Sequence, residues 1–217
     1  MEILEFKIID STNDMAKKLG TKGRKNILIV AEKQTSGRGR NNRAWISNMG
    51  GLYASFVLDK SSNLPLVMAL CVSETVNQLL SSETSETSEI KWPNDILIKG
   101  KKVAGILCEG YKNFDIGGIG VNVNNRVDLE SATTLEKEAG KSFLLGDAIR
   151  TLIENFQRLR DEKNVVQEYR KRCKMLGKKV VVKLQNEVIS GTAEIDEAGY
   201  LIIDGKRISA GDVIKVM

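Results

Sequence analysis

The chain contains no histidine. That absence excludes Ser-His-Asp and Cys-His nucleophilic chemistry and any metal held by imidazole. Catalysis, if present, must run on lysine, arginine, carboxylates, backbone dipoles and a hard metal ion, which favours positioning and charge stabilisation over proton shuttling. Cysteine is scarce. Cys71, Cys108 and Cys173 are the only three, far apart and without a CxxC pair. This argues against a disulfide framework or a zinc site and for a reducing compartment. Cys71 and Cys108 lie in apolar runs and read as core residues. Also missing are a secretory signal and any long apolar span, so the expectation is a soluble, cytoplasmic protein with no membrane partner.

The 217 residues allow one large domain, or a large one with a small appendage. An apolar content of 41% is enough for a real core. The formal net charge of +5 is modest for this length. It suits an anionic small ligand or an acidic protein partner and does not demand nucleic acid.

The stretch Lys33-Gln34-Thr35-Ser36-Gly37-Arg38-Gly39-Arg40-Asn41-Asn42-Arg43-Ala44-Trp45 lies between two apolar runs, Ile27–Ala31 and Leu52–Leu58. Both runs read as strands, so the arginines sit on a loop with fixed ends. Gly37 and Gly39 let the main chain approach a ligand closely. Each Arg supplies a planar fork of donors suited to carboxylate or phosphate. A solvated surface loop and an RNA-binding loop fit the same composition.

Elsewhere the order of elements is readable. Ile3 to Ile8 reads as a first strand, followed by Asp10-Ser11-Thr12-Asn13-Asp14 and a helical spacing over 15–19 that Gly20 stops. Ser11-Thr12-Asn13 suits a helix N-cap, and the same groups also suit a polar ligand. Pro65 to Leu80 reads as a helix packed on the sheet. The acidic segment 81–89 reads as an exposed connection. Within Ile90-Lys91-Trp92-Pro93-Asn94-Asp95-Ile96-Leu97-Ile98, Pro93 separates two short strands, and Lys91 and Trp92 project to opposite sides. Gly100 suits a hairpin turn. Gly105 inside the next strand marks a close approach to the backbone. Phe114 to Asn124 reads as a strand with Asn122 and Asn124 on one face. A short helix spans 135–139, closed by Gly140. Asp147 to about Leu176 reads as helical, with a break near 162–164. Residues 150–183 hold eleven Lys and Arg against four Asp and Glu, which marks a candidate docking surface for an acidic partner. After Gly177 the short strands read as a small barrel or half-barrel. The expected division is therefore 1–176 and 177–217.

Five stretches in this order resemble the biotin protein ligase family: Asp10-Ser11-Thr12-Asn13, Gly37 to Trp45, Lys91-Trp92-Pro93-Asn94-Asp95, Val103-Ala104-Gly105-Ile106-Leu107-Cys108-Glu109, and Gly118 to Asn124. The resemblance covers nearly the whole chain. It implies an α+β fold: a mixed β-sheet with helices packed on one side, like that of class II aminoacyl-tRNA synthetases, plus a small C-terminal SH3-like β-barrel. It implies activation of biotin with Mg²⁺ and ATP to biotinyl-5'-AMP, then transfer to a lysine of a biotin carboxyl carrier protein domain. Carried over by motif, Ser11, Thr12, Asn13, Gln34 and Gly105 fall to biotin. Arg38, Gly39, Arg40 and Lys91 fall to its carboxylate, with Arg38 and Lys91 as the catalytic pair. Arg38, Arg40, Arg43, Trp45, Lys91, Asn94 and Asn122 fall to ATP, and Asp95 to metal or phosphate positioning.

These residue types suit the reaction. A carboxylate attacking a phosphate is anion meeting anion, and Arg and Lys reduce that repulsion. No enzyme nucleophile is required, which fits the missing histidine. Two departures stand out. Asn42 occupies a loop position where the family usually carries Gly. The Ser-Thr-Asn motif also starts too early for the N-terminal helix-turn-helix of some relatives, so no sequence-specific DNA binding is expected. Homodimers are common in the family, but no stretch here settles that point. The competing readings are a lipoate ligase or acyltransferase on the same fold, and a non-catalytic RNA-binding protein using Arg38, Arg40, Arg43 and the 150–183 surface.

Overall fold

A computed structural model describes residues 1–217. The first strand, β1 (Glu2–Phe6), ends two residues before the sequence pattern does. It leads into helix α1 (Thr12–Thr21), where Ser11 is the N-cap and accepts a hydrogen bond from the Asp14 amide. Strands β2 (Ile27–Ala31) and β3 (Leu52–Leu58) flank the arginine loop. Helix α2 (Leu64–Leu80), with Pro65 in its first turn, is followed by β4 (Glu89–Lys91), β5 (Asp95–Ile98), β6 (Lys101–Gly110) and β7 (Asp115–Val121). The strands form one seven-stranded sheet in the order β1-β2-β3-β7-β6-β5-β4. Only the β1–β2 pair is parallel. The β5–β6 hairpin turns at Lys99 and Gly100, both at positive φ (50° and 76°), as a two-residue loop requires.

The strands are apolar on both faces because both are covered. Leu28, Val30, Ala54 and Phe56 pack against α2, α4 (Leu145–Leu159) and α5 (Val165–Arg172). Ile27, Ile29 and Val57 alternate to the other side and pack with Ala16 of α1 and Phe114. Packing on one side therefore describes α2, α4 and α5, while α1 alone covers part of the opposite face. The remainder of that face carries the site described below. The short helix α3 (Leu135–Ala139) is capped by Thr134 and closed by Gly140 at φ 71°.

The helical stretch expected to reach Leu176 stops at Arg172, where α5 ends. Much of the positive excess over 150–183 is internal: Glu74 of α2 accepts from both Arg158 and Arg172. Arg170 pairs with Glu197, and Lys171 with Glu168. A second, five-stranded antiparallel sheet follows, ordered β11-β10-β9-β8-β12. It is built from β8 (Lys179–Lys183), β9 (Val188–Ile195), β10 (Leu201–Ile203), β11 (Lys206–Ile208) and β12 (Asp212–Val216). Its inward residues, among them Val180, Val182, Ala193 and Leu201, join the same apolar cluster as α2 and α5. No helix is long and apolar enough to cross a membrane.

Candidate active site

A cavity of about 270 Å³ opens on the α1 side of the sheet. That volume is near the lower end for small-molecule sites. One end is neutral and hydrogen-bonding. Ser11, Thr12 and Gln34 line it, Ser11 and Thr12 at the start of α1 and Gln34 just after β2. Gln34 Oε1 accepts from the Thr12 amide at 2.8 Å, and its Nε2 donates to Ser47 Oγ at 2.9 Å. Gly37 is obligatory here: a Cβ would lie 2.4 Å from Ser47 Oγ and 2.6 Å from the Trp45 carbonyl oxygen.

The other end is cationic. The arginine loop is a small hairpin, held by Gly39 N–H to Arg43 O (2.7 Å) and Trp45 N–H to Gly37 O (2.9 Å). Its tip turns through Asn41 and Asn42, at φ 55° and 57°. Asn42 thus adopts the left-handed angle that a glycine would otherwise supply, which Asn tolerates better than most residues. Arg38 lies 2.7 Å from Asp14 and 3.5 Å from Glu109. Burial works against its charge, but Glu109 and Asp14 more than offset this and raise its pKa. Arg40 donates to Asn94 Oδ1 (3.3 Å), Gly211 O (3.1 Å) and Asp212 Oδ1 (3.3 Å). Arg43 reaches the other Asp212 oxygen at 2.6 Å. Asp212 belongs to the second sheet, so both structural units build the cavity wall.

Trp45 lies across the floor. Its indole sits where a Cβ on Gly105 or Gly120 would be, at 3.0 and 2.3 Å. The close approach expected at Gly105 is therefore made by this ring. Its Nε1 is buried without a partner.

Lys91 needs correction. It faces Asp95 across the β4–β5 ladder, but it is on the outermost strand and does not line the cavity. The lysine that does is Lys102. Its Nζ lies 2.6 Å from Asp95 and 5.1 Å from the Trp45 ring centroid. Simple alternation from Gly105 puts Lys102 on the wrong face. A bulge at Val103, where the β5–β6 register shifts, brings it back. Asp95, expected to position metal or phosphate, is thus engaged by an ammonium group. No cluster of three or more acidic, Cys or His residues suited to a resident metal occurs in the chain.

Two further expectations change. Asn122 and Asn124 lie beyond the end of β7 and not on its face. Asn122 lines the cavity, but its Nδ2 donates to Thr133 O (3.2 Å) and its Oδ1 accepts from Asn125 (3.2 Å). Asn13 also lines the cavity with its side chain committed inward, to Glu109 Oε2 (2.6 Å), Leu107 O (3.3 Å) and Ser55 (2.6 Å). Sequence reasoning missed the wall formed by Val127, Leu129, Ser131 and Ala132. This segment is stitched to β6 through Lys102, whose N–H donates to Ser131 O and whose carbonyl accepts from Thr133 N–H.

The cysteines supply no nucleophile. Burial, then Asp115 and Glu109, push Cys108 up to about 12. Burial likewise raises Cys173 to about 11 and Cys71 further still. What remains is a bipolar cleft, with hydroxyl and amide groups at one end and guanidinium and ammonium groups at the other.

The comparisons name the family. Residues 5–124 match the biotin/lipoate A/B protein ligase family, and 175–216 match the biotin protein ligase C terminal domain. A biotin–[acetyl-CoA-carboxylase] ligase of Mycobacterium tuberculosis is 32% identical over 209 residues, covering 87% of this chain and 78% of that one. The bifunctional ligase/repressor BirA of Bacillus subtilis is 34% identical over 170 residues; the match covers 70% of this chain and 51% of that protein's length. The Aquifex aeolicus biotin protein ligase, solved in complex with biotin and ATP, superposes with a TM-score of 0.81 at 32% identity, covering 98% of this chain and 97% of that one. The chain belongs to the biotin/lipoate A/B protein ligase family.

Proposed function

We propose that this chain is an ATP-dependent biotin protein ligase. It activates biotin to biotinyl-5'-AMP and transfers biotin to a lysine of a biotin carboxyl carrier protein domain. The observation that carries the reading is the two-ended cleft, with Ser11, Thr12 and Gln34 at its neutral end and Arg38, Arg40 and Lys102 at its cationic end. A small molecule with a hydrogen-bonding ring at one end and a carboxylate at the other matches that polarity.

In the first step a carboxylate oxygen of biotin attacks the α-phosphorus of ATP. A C–O–P anhydride forms, and the bond to pyrophosphate breaks. ATP enters as its magnesium complex, so the metal arrives with the substrate. Lys102, Arg38 and Arg40 offset the repulsion between the two anions and stabilise the charge that builds on the phosphate. Asp95 holds Lys102, and Asn94 holds Arg40 in the same region. Trp45 and the hairpin loop exclude water from the anhydride. In the second step the acceptor's lysine nitrogen attacks the acyl carbon and AMP leaves.

The nucleic-acid reading loses its main support because Arg38 and Arg40 turn inward onto Asp14, Glu109, Asn94 and Asp212. Lys163, Lys174, Lys178, Lys179 and Lys183, which have no ion pair, remain as the basic surface for an acidic carrier domain. The need for ATP and the three unpaired cysteines support a reducing, cytoplasmic setting for the reaction.

The test is incubation of the chain with biotin, Mg-ATP and an acceptor domain, followed by intact-mass measurement. One added biotin on one acceptor lysine, dependent on ATP, is expected. Absence of both the adduct and biotin-dependent ATP–pyrophosphate exchange would reject the reading.

A further inference from the structure

An open groove of about 620 Å³ runs along the outer side of α1, away from Ala16 and Gly20, which face the sheet and Phe114. Ile9 and Met15 are its apolar part, and Lys17, Lys18, Thr21 and Lys22 its polar side. Helical spacing sets this order. Ser11, Met15, Lys18 and Lys22 recur at i, i+4, i+7 and i+11 and share one stripe. The groove therefore starts at the helix N-cap and follows the helix for about 15 Å, at about 1.5 Å per residue.

Its positive charge is not balanced from within. Among the Lys and Arg residues before Asn26, only Arg24 and Lys25 form ion pairs. Lys17 instead lies over the Tyr111 ring, 5.5 Å from its centroid. The two acids of the groove are engaged elsewhere. Asp14 holds Arg38 at 2.7 Å, and Asp10 accepts from Thr35 Oγ1 at 3.0 Å. Lys17, Lys18 and Lys22 are all exposed. No aromatic ring lines the groove, so it offers nothing for a nucleobase to stack on.

The groove also borders the reaction cleft. Ser11 lines both hollows, and Asp14 reaches from the groove to Arg38 at the cationic end. On the opposite rim the cations are already engaged: Arg40 and Arg43 by Asp212, Lys102 by Asp95, and Arg126 by Asp128. Helix α5 packs on the other face of the sheet, so Lys163 and Lys174 beside it reach only the outlying part of a body seated over the cleft.

We infer that the α1 groove docks the acidic surface beside the target lysine of the acceptor domain, with Lys17, Lys18 and Lys22 as its contacts. This rests on the ligase reading above and adds where the acceptor sits. An acceptor must bring one lysine to the anhydride while the rest of its domain stays outside a cleft of about 270 Å³. Carboxylates flanking that lysine meet free ammonium groups on the α1 rim. Rim charges of this kind speed encounter and set its salt dependence, and they leave the chemistry untouched.

The test uses the full chain and a biotin carboxyl carrier protein domain as acceptor. The triple variant Lys17→Glu, Lys18→Glu, Lys22→Glu is compared with wild type. Acceptor kcat/KM is measured at low and high salt, and biotin-dependent pyrophosphate exchange is measured without acceptor. The variant is expected to lose about tenfold in acceptor kcat/KM at low salt, the lower end for electrostatic steering. The gap should close at high salt, and exchange should be unchanged. An acceptor whose acids beside the target lysine are reversed to Lys should regain rate with the variant. Should the triple reversal disturb folding, the triple Lys→Gln variant carries the same comparison with a smaller loss. Wild-type acceptor kcat/KM in a folded variant overturns the inference. So does a loss that salt does not relieve, or an equal loss of exchange. Selective loss of binding to a mixed-sequence RNA, with acceptor kinetics intact, overturns it too and assigns the groove to nucleic acid. If wild type itself labels no acceptor, the ligase reading fails instead.

Discussion

Lys102 and Lys91 separate what one residue can and cannot reveal. Both are lysines near the Trp-Pro-Asn-Asp corner, and both register with cavity residues. Only Lys102 brings its ammonium group into the cleft, 2.6 Å from Asp95. Lys102→Ala is therefore expected to slow biotin-dependent pyrophosphate exchange by about 10²- to 10³-fold, the range for removing one preorganised charge-stabilising group. Lys91→Ala should stay within about threefold of wild type in the same assay, since Lys91 is half-buried on the edge strand and lines no part of the cleft. Comparable losses in both would refute the placement. The expectation at Lys91 rests on motif resemblance. Lys102 is hidden because period-2 reasoning assumes an unbroken ladder, and a one-residue bulge at Val103 reverses its facing relative to Gly105. Asn122 and Asn13 teach a related lesson: a polar side chain in the right motif can be committed to its neighbours.

Among the elements, those with strong local signals were legible. Helix α3 falls on the five residues expected, because Thr134 caps it and Gly140 ends it. The β5–β6 turn is also where Gly100 placed it. The cavity wall at 127–132 was not legible, since it has neither period and is held by main-chain bonds to Lys102. The basic run at 150–183 concealed its partner Glu74, which is distant in sequence. The turn between β9 and β10 yields a pH prediction. Burial, the largest influence on Asp196, disfavours its charge, but the amides of Tyr200 and Ala198 and the Arg207 guanidinium outweigh this and hold its pKa below the ordinary value. A carboxylate depressed in the folded state stabilises fully above its unfolded value of about 3.9 and loses that contribution as pH falls through the folded value. Thermal melts of Asp196→Asn should therefore depend less steeply on pH below about 4 than those of wild type. Parallel curves would contradict the assignment.

At the scale of the molecule, the second sheet is part of the site. Asp212 reaches Arg40 and Arg43 across the boundary, and Val180 and Leu201 share the apolar cluster of α2. These ion pairs are partly exposed, so each is worth about 0–1 kcal/mol. Asp212→Ala removes both pairs and should accordingly move Tm by no more than about 8 °C, by the usual conversion for a chain of this size. It should nonetheless free the loop, and trypsin should cut after Arg40 or Arg43 faster than in wild type. An unchanged digestion rate would mean that the loop is held by its own hairpin bonds alone.

That shared boundary limits how the protein can be re-engineered. A chimera that takes its last forty or so residues from a cousin inherits a foreign end to the arginine hairpin. Transplants should succeed when the donor brings an acid at the position of Asp212, and otherwise only when both sides of the seam are exchanged together.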